Sequence, residues 1–332
     1  MAGDALLTAP DFPPFRPRPP WWGGDLQTLR NVLAREWADL AGHPAERVML
    51  PLGDGSGDTL VATRHTPSGG DADRPLVVLI HGLTGGEDST YMRASARHLL
   101  DHGYAVVRLN LRGAGPSRPL CRAQYHAGRT GDLADALAGL DVPPEGLVLM
   151  GYSLGANMLL KFLAERGTAF PVRAAVAVSA PIDLAATARR LMAPRNRPYH
   201  AYLLARMKAE AAAGPEGATP ALRAALATAR TVYDFDELVV APANGFRSAD
   251  HYYQENGATR FLERIGVPTL VIHARDDPWI PVAAYDAVDW RHHPSLIGLL
   301  APSGGHVGFH GAGAATAWHD RCAAIWFDRM AR

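Results

Sequence analysis

Apolar runs alternate with stretches of helical periodicity along most of this chain. Residues 76–81 (LVVLIH), 104–110 (YAVVRLN) and 174–179 (AAVAVS) are nearly continuous apolar runs. Runs of this kind are typical of strands buried on both faces of a parallel sheet. Residues 91–102 and 129–140 between them have the spacing of helices. The alternation predicts a doubly wound, mainly parallel α/β sheet.

The two ends of the pattern differ from its middle. Residues 47–52 and 59–65 flank a glycine-rich turn and predict a hairpin, while 269–273, 296–300 and the amphipathic stretch 316–330 complete the sheet and its last helix. Residues 184–254 contain alanine-rich helical stretches and no strong strand. We therefore expect one domain over 1–332, with a helical cap inserted at about 184–255.

The first 45 residues predict an N-terminal arm followed by a short helix. Residues 1–20 are rich in proline and favour an extended segment over the surface, and a helix is expected through Leu40. Trp21 and Trp22 lie between the arm and the helix. We expect this pair to anchor the arm to the core, because burying an aromatic ring is strongly favourable.

Composition restricts the class of protein without naming a reaction. The 332 residues are 48% hydrophobic and 20% charged with a net charge of zero, which fits a globular core and argues against a nucleic-acid partner. Cys121 and Cys322 are far apart and form no metal-binding or redox motif. The start of the chain lacks the features of a signal peptide, and no apolar run reaches the length of a membrane span. A cytoplasmic location is expected.

The candidate nucleophile is Ser153. It lies in the G-x-S-x-G sequence between Gly151 and Gly155, after the apolar run 147–150 and before an apolar helical stretch. Strand, tight turn and helix in this order form a nucleophile elbow, in which glycines avoid a collision around a strained serine. The alternative interpretation is a tight turn with an incidental serine.

A serine hydroxyl needs a base, and the base needs an orienting acid. After an elbow serine the acid and then the histidine are expected at the ends of later strands. His306 follows a glycine pair just after the last predicted strand and is the candidate base; His310 is a weaker candidate. The adjacent Asp276 and Asp277 follow the preceding strand. We favour Asp277, which begins the sequence D-x-x-I-P, and leave Asp276 open as the alternative.

Two backbone amides are candidates for an oxyanion hole. One is the N–H of Leu154, directly after the serine, and the other is the N–H of Leu83 in the loop HGLTGG (81–86). A phosphate-binding loop is the alternative for this segment, but the Gly-Lys-Ser/Thr ending and the G-x-G-x-x-G spacing are both absent. His81 is expected to be a structural hydrogen-bonding residue.

These motifs resemble the α/β-hydrolase superfamily and, within it, the YheT-like esterases, which are related to the abhydrolase-domain lipid esterases of eukaryotes. The resemblance extends from residue 26 to 309 and rests on LQT (26–28), HGLTGG (81–86), NLRGAG (110–115), YHAGRTGDL (125–133), GYSLGANML (151–159), VSAPIDL (178–184), IHARDDP (272–278) and GGHVGF (304–309). Family members often carry histidine where this chain has Asp25. The resemblance implies Ser/Asp/His hydrolysis without a cofactor or metal.

The sequence thus predicts a serine hydrolase that cleaves small carboxylic esters with short to medium or lipid-like acyl groups. Tyr152, Tyr199, Tyr202, Leu203 and Met207 are candidates for lining an acyl pocket, with core packing as the alternative. Transient lipid contact is expected through the cap. An acyltransferase or thioesterase with the same triad remains open, as does a non-catalytic binding protein, because a fold does not guarantee activity.

Overall fold

The computed structural model describes residues 10–34, 37–69, 73–215 and 217–330. The predicted arm at 1–45 therefore lies partly outside the described residues, at 1–9 and 35–36. Within the described ranges, eight strands form one sheet in the order β1-β2-β4-β3-β5-β6-β7-β8. The strands are β1 (Ala45–Pro51), β2 (Thr59–His65), β3 (Leu76–Ile80), β4 (Val106–Leu109), β5 (Leu147–Tyr152), β6 (Val172–Val178), β7 (Thr269–Ala274) and β8 (Leu296–Ala301).

Strand pairing confirms the predicted sheet. β1 and β2 form the antiparallel hairpin, with Val48 opposite Ala62, and β2 also pairs antiparallel with β4. The pairs from β4 through β3, β5, β6 and β7 to β8 are all parallel. The carboxyl ends of the parallel strands therefore meet at one edge, where an α/β protein carries its site.

Helices pack on both faces of the sheet, and six of those described lie in the chain segment that connects β6 to β7. In the described part of the chain they are α1 (Gly23–Leu33), α2 (Thr90–Asp101), α3 (Thr130–Ala138), α4 (Leu154–Arg166), α5 (Leu184–Met192), α6 (Arg197–Ala212), α7 (Pro220–Thr228), α8 (Val232–Phe235), α9 (Ala241–Ala243), α10 (Ala249–Asn256), α11 (Ala283–Asp286) and α12 (Trp318–Met330). None of them is long and apolar enough to cross a membrane.

Two apolar clusters separate along the faces of the sheet. One contains Leu133 of α3 and Leu159 of α4, and the other contains Leu99 of α2 and Trp326 of α12. The strand residues between them, such as Val78, are fully buried. Burial on both faces explains why these strands read as continuous apolar runs rather than as alternating patterns.

A helical segment, residues 184–256, connects β6 to β7. It carries α5 to α10 and a π-helical turn at Asp236–Val240, with no strand among its described residues. A third apolar cluster consists mostly of residues of this segment, among them Leu203, Met207, Phe235 and Tyr252. The segment therefore has a core separate from the two that flank the sheet.

The N-terminal region differs from its prediction in two respects. Helix α1 ends at Leu33 instead of continuing to Leu40. The prediction that both tryptophans anchor the arm is wrong for Trp22, which is 59% exposed. The arm is held elsewhere, because Pro17 forms a β-bridge with Gly311 and Phe15 packs edge-on against neighbouring aromatic rings.

Candidate active site

Ser153 occupies a strained turn between β5 and α4. Its backbone has φ 50° and ψ −123°, which lies outside the regions that non-glycine residues normally adopt. A β-carbon at Gly155 would overlap the carbonyl oxygen of His81, and one at Gly151 would crowd the backbone of Ala156. The glycines of the motif are therefore required by the close packing of β3, β5 and α4. Strain of this kind persists only where the surroundings enforce it.

The structure brings Ser153, His306 and Asp277 into one hydrogen-bonded row. The Ser153 hydroxyl donates to His306 Nε2 across 2.9 Å, and His306 Nδ1–H donates to Asp277 Oδ2 across 2.8 Å. His306 is 5% exposed and Asp277 is 3% exposed. The carboxylate on Nδ1 fixes the tautomer that leaves Nε2 free to accept the serine proton.

The second oxygen of Asp277 is also occupied. Asp277 Oδ1 accepts from the amides of Trp279 (2.8 Å) and Ile280 (3.0 Å). Burial alone would raise the pKa of Asp277, but the charge and hydrogen bond of His306, helped by the Trp279 amide, outweigh it and hold the pKa below its usual value. The carboxyl is therefore ionised at neutral pH and oriented by three hydrogen bonds, one from His306 and two from amides of its own loop.

Asp276 has a different environment. Its Oδ1 accepts from the Gly305 amide across 2.9 Å, so it contacts the histidine loop through the backbone and makes no hydrogen bond to the imidazole. Burial raises the pKa of Asp276, against the opposing effect of the Gly305 and Gly304 amides. The two adjacent carboxyls thus point to different parts of the same loop.

The loop that carries His306 is strained and held by α1. Val307 (φ 54°) and Phe309 (φ 50°) both have positive φ, which is rare for side chains of this size. Thr28 Oγ1 of α1 accepts from the His306 amide across 2.8 Å, and Asn31 Nδ2–H donates to the Val307 carbonyl across 2.9 Å. Polar side chains of α1 therefore fix the backbone on both sides of the imidazole.

The competing histidines lie away from the serine. The His310 ring contacts Arg30 (3.2 Å) and Asn31 (3.0 Å), and burial lowers its pKa to about 3. The His81 ring donates from Nδ1 to the Gly82 carbonyl and accepts the Leu111 amide at Nε2. Burial lowers the pKa of His81 to about 4. Both rings are neutral groups with structural hydrogen bonds, as the sequence predicted for His81.

The amides of Leu83 and Leu154 are uncommitted beside the serine. Among the described residues, no acceptor is within hydrogen-bonding geometry of either N–H. A β-carbon at the neighbouring Gly82 would lie 2.9 Å from Ser153 Cβ and 3.6 Å from its Oγ, so this loop passes directly against the hydroxyl. One free donor follows the serine directly in the chain and the other belongs to the loop packed against it, which makes both candidates for an oxyanion hole.

Sequence reasoning assigned no role to the residues that hold the Leu83 loop. Thr84, with φ 55°, donates its amide to Tyr125 Oη across 2.7 Å, and Tyr125 donates to Glu210 Oε2 of α6 across 3.1 Å. Arg206 of α6 donates to the Thr84 carbonyl across 2.7 Å. Burial raises the pKa of Glu210 to about 7, although Tyr125 and two arginines oppose the shift. The only sequence signal was that Tyr125 begins the stretch YHAGRTGDL.

A cavity of about 820 Å³ opens over the serine. Ser153, His306 and Leu83 lie in its wall. The helical segment contributes mainly apolar side chains, namely Leu184, Ala188, Leu191, Leu203, Met207 and Phe235. This volume and lining are typical of a small-molecule site.

Three of the five candidate pocket residues line this cavity. They are Tyr202, Leu203 and Met207. Tyr152 and Tyr199 have the alternative role of packing instead. Tyr152 is fully buried with its hydroxyl 2.5 Å from Ser95 Oγ. The Tyr199 ring packs against Trp279, and its hydroxyl donates to Asp25.

Comparison with known proteins identifies the family of this chain. The sequence model of the alpha/beta hydrolase fold family matches residues 75–312. The chain is 35% identical to the protein named "Putative esterase YheT" of Escherichia coli (strain K12), over 72% of this chain and 71% of that one. It is 30% identical to "Medium-chain fatty acid ethyl ester synthase/esterase 2" of Saccharomyces cerevisiae, over 72% of this chain and 59% of that one.

Solved structures have the same fold at lower identity. An esterase of Pyrococcus furiosus superposes with a TM-score of 0.61, covering 98% of this chain and 100% of that chain, at 18% identity.

Proposed function

The chain belongs to the α/β-hydrolase fold family, and on that premise we propose that it is a carboxylic-ester hydrolase acting through an acyl-enzyme on Ser153. The observation that carries the proposal is the row Ser153–His306–Asp277, with separations of 2.9 and 2.8 Å. The names of the relatives, an esterase and an ester synthase/esterase, agree with it.

In the first half of the reaction, Ser153 Oγ attacks the ester carbonyl carbon while its proton passes to His306 Nε2. The ionised Asp277 stabilises the imidazolium that forms and keeps it oriented. His306 then returns the proton to the leaving oxygen as its bond to carbon breaks, which releases the alcohol. In the second half a water molecule attacks the acyl carbon and gives its proton to His306. His306 then passes this proton to Ser153 Oγ as the bond between that oxygen and the acyl carbon breaks, which releases the carboxylic acid and restores the enzyme.

The negative charge that develops on the carbonyl oxygen needs donors that are already oriented. The free amides of Leu83 and Leu154 are suited to this role, because donors fixed by the fold need no reorganisation during the reaction. A donor of this kind typically contributes a factor of about 10²–10³ to the rate. Tyr125 and Arg206 support Leu83 indirectly by fixing the neighbouring Thr84.

The lining of the cavity supports a proposal for the substrate class. The helical segment, which we propose is a cap on the site, presents Leu191, Leu203 and Met207 to the space above Ser153. Apolar walls favour an acyl chain over a charged group, since an unpaired charge would be desolvated there. We assign short- to medium-chain acyl or lipid-like esters as the substrates.

The test measures hydrolysis of p-nitrophenyl esters from acetate to palmitate. Ser153→Ala and His306→Asn are expected to lower kcat/KM by at least about 10³-fold on every ester, because each removes an element of one mechanism. His310→Asn is the matched control for histidine and should change the rate by less than about tenfold. Unchanged hydrolysis by purified Ser153→Ala would refute the proposal.

A second candidate function differs only in the acceptor. The yeast relative is named for ester synthesis as well as hydrolysis, and an alcohol can replace water in the second half of the reaction. Loading the enzyme with p-nitrophenyl butyrate in graded ethanol separates the two. Ethyl butyrate formed far above the ethanol-to-water ratio would favour an acyltransferase, while butyrate as the main product favours a hydrolase.

A further inference from the structure

Helix α1 has its polar side inward and its apolar side outward. Gln27, Thr28 and Arg30 are buried against the histidine loop. Leu26 and Leu33 are 40% and 63% exposed. An ordinary surface helix has the opposite arrangement, because its apolar stripe faces the core. The polar side chains of α1 have hydrogen-bonding partners within the protein. The exposure of its apolar side chains therefore needs a separate explanation.

The exposed apolar residues of α1 form one stripe. Leu26, Leu29, Val32 and Leu33 are spaced i, i+3, i+6 and i+7, which places them on one side of a helix. Leu29 is half-buried and Val32 is 48% exposed. We call these four residues the outer face of α1. Contiguous apolar surface of this kind marks an interaction site, whereas scattered apolar residues do not.

The outer face is continuous with the open end of the catalytic cavity. Val32 belongs to both, and the exposed rings of Trp37 and Tyr202 also line that cavity. A partner on the outer face would therefore touch the route by which a substrate reaches Ser153.

Within the described range Gly23–Leu33 of α1, both charged side chains have partners elsewhere in the protein. Asp25 of α1 is paired with Arg195 of the helical segment across 2.6 Å and also accepts the Tyr199 hydroxyl. Arg30 points inward to His310. At the rim, the guanidinium of Arg93 lies 5.7 Å from the centre of the Trp37 ring. An apolar face suits the surface of neutral lipid. The tryptophan and arginine at its border suit the boundary between lipid and water, where amphipathic side chains are favoured.

We propose that the outer face of α1 docks on the surface of neutral or zwitterionic lipid and that esters enter the cavity from that surface. A second protein seated there would cover the mouth beside Val32 and Trp37, while a lipid surface would supply substrate through it. This inference rests on the proposed esterase function. It places lipid contact on α1, whereas the sequence predicted contact through the cap.

The first measurement is co-sedimentation of the full chain with dioleoylphosphatidylcholine vesicles. The variant Leu26→Asp/Leu33→Asp puts two charges on the outer face and should lower the bound-to-free ratio by at least about tenfold. Met49→Asp is the matched control, because Met49 is also half exposed but lies on β1. It should bind vesicles as the wild type does.

The second measurement compares monomeric with dispersed substrate. Hydrolysis of dissolved p-nitrophenyl acetate by the double variant should stay within about threefold of wild type, since neither leucine lines the cavity. Hydrolysis of emulsified tributyrin should fall in parallel with vesicle binding. If the wild type did not hydrolyse dissolved p-nitrophenyl acetate at all, the esterase function would be contradicted. Failure of the esterase proposal can therefore be distinguished from failure of the docking proposal.

Three outcomes would overturn the docking proposal. They are wild-type protein that does not bind the vesicles, double-variant protein that binds them unchanged, and a wild-type dimer, measured by sedimentation, that Leu26→Asp/Leu33→Asp dissociates. The last outcome would assign the outer face to a second copy of this chain.

Discussion

The adjacent Asp276 and Asp277 perform different tasks because of the direction in which each side chain leaves the loop. Asp277 receives the imidazole on one oxygen and two amides on the other. Asp276 receives the Gly305 amide instead. Asp277 therefore orients the ring, while Asp276 ties the acid loop to the histidine loop through the backbone.

Asp277→Asn is expected to lower kcat by about 10³–10⁴-fold, because an amide neither stabilises the imidazolium nor holds the tautomer that accepts the serine proton. Asp276→Asn keeps an acceptor oxygen for Gly305 and should cost less than about tenfold. Steady-state kinetics on p-nitrophenyl butyrate, with circular dichroism to check folding, measures both. The reverse ranking would make Asp276 the orienting acid.

Chain order and strand ends were sufficient to select Ser153 and His306 as candidates from the sequence, and the structure brings the two side chains within 2.9 Å. The same rules left the two aspartates open, because neighbours on a loop differ only in local backbone geometry. Thr28 could not be assigned its role from spacing, since its hydroxyl meets the His306 amide across 278 positions of sequence. Contacts of that kind depend on the tertiary structure.

At the level of elements, α1 joins the acid loop to the histidine loop. A β-carbon at Gly24 would overlap the Asp276 carbonyl, and one at Gly305 would overlap the Gly24 carbonyl. The three backbones are in direct contact, so the helix cannot move without moving both loops. Its position therefore sets the geometry between Asp277 and His306.

Gly24→Ala should lower both stability and kcat. The added methyl group meets backbone, which cannot rotate away, so we expect a loss of about 1–3 kcal/mol in the free energy of unfolding. A loop displaced by about 1 Å can lower the rate by about 10²-fold.

The control for this change is Gly131→Ala in α3, where nothing lies within 4 Å of the new β-carbon. It should leave kcat unchanged and stabilise the fold by about 0.5–1 kcal/mol. Chemical denaturation and steady-state kinetics measure both variants. If the two substitutions had equal effects, the inference that α1 positions the catalytic loops would be wrong.

The ends of strands that are buried on both faces were predicted to within one or two residues, as β2 and β3 illustrate. Helix α1 was predicted to be too long, because its inward side is polar and periodicity of apolar residues does not describe such a helix. The fold of the helical segment was not predictable for a related reason. Its helices are mixed in polarity and are arranged by contacts with one another and with Thr84 and Tyr125.

At the scale of the whole molecule, buried titratable groups set the response to pH. Among the described residues, burial is the largest cause of a lowered pKa in eight histidines. The pKa falls to about 4 in His81 and His273, to about 3 in His126, His310 and His319, and below its usual value in His65, His98 and His200. In the unfolded chain each binds a proton at about pH 6.5. Because their folded pKa values are lowered, their contribution to stability is present above about pH 6.5 and is lost as the pH falls.

Three buried carboxyls act in the opposite direction. Burial raises the pKa of Asp236 and Glu210 to about 7 and that of Asp320 to about 6. A raised carboxyl pKa favours the folded state at low pH, and this contribution is lost as the pH rises through about 6–7. The two sets together predict a maximum of stability between about pH 6 and 8. Below about pH 4.5 stability falls steeply, because the growing contribution of these three carboxyls no longer offsets the loss from the histidines.

His319→Phe should reduce the sensitivity to acid. The His319 ring packs edge-on against Phe309 and Tyr152, contacts that a phenyl ring retains, while the proton-binding site is removed. For one group, each unit of difference between the folded and unfolded pKa changes the free energy of unfolding by up to about 1.4 kcal/mol. Thermal unfolding at pH 8 and pH 4.5 should show a smaller drop for the variant than for wild type. An equal drop would mean that His319 does not contribute.

Covalent labelling by a fluorophosphonate, followed by peptide mass spectrometry, tests whether Ser153 is the nucleophile. We expect one phosphonyl group per chain on Ser153, loss of esterase activity in proportion to labelling, slow labelling of His306→Asn and none of Ser153→Ala. Activity that survives complete labelling of Ser153, or a label that forms on another residue and abolishes activity, would show that Ser153 is not the nucleophile.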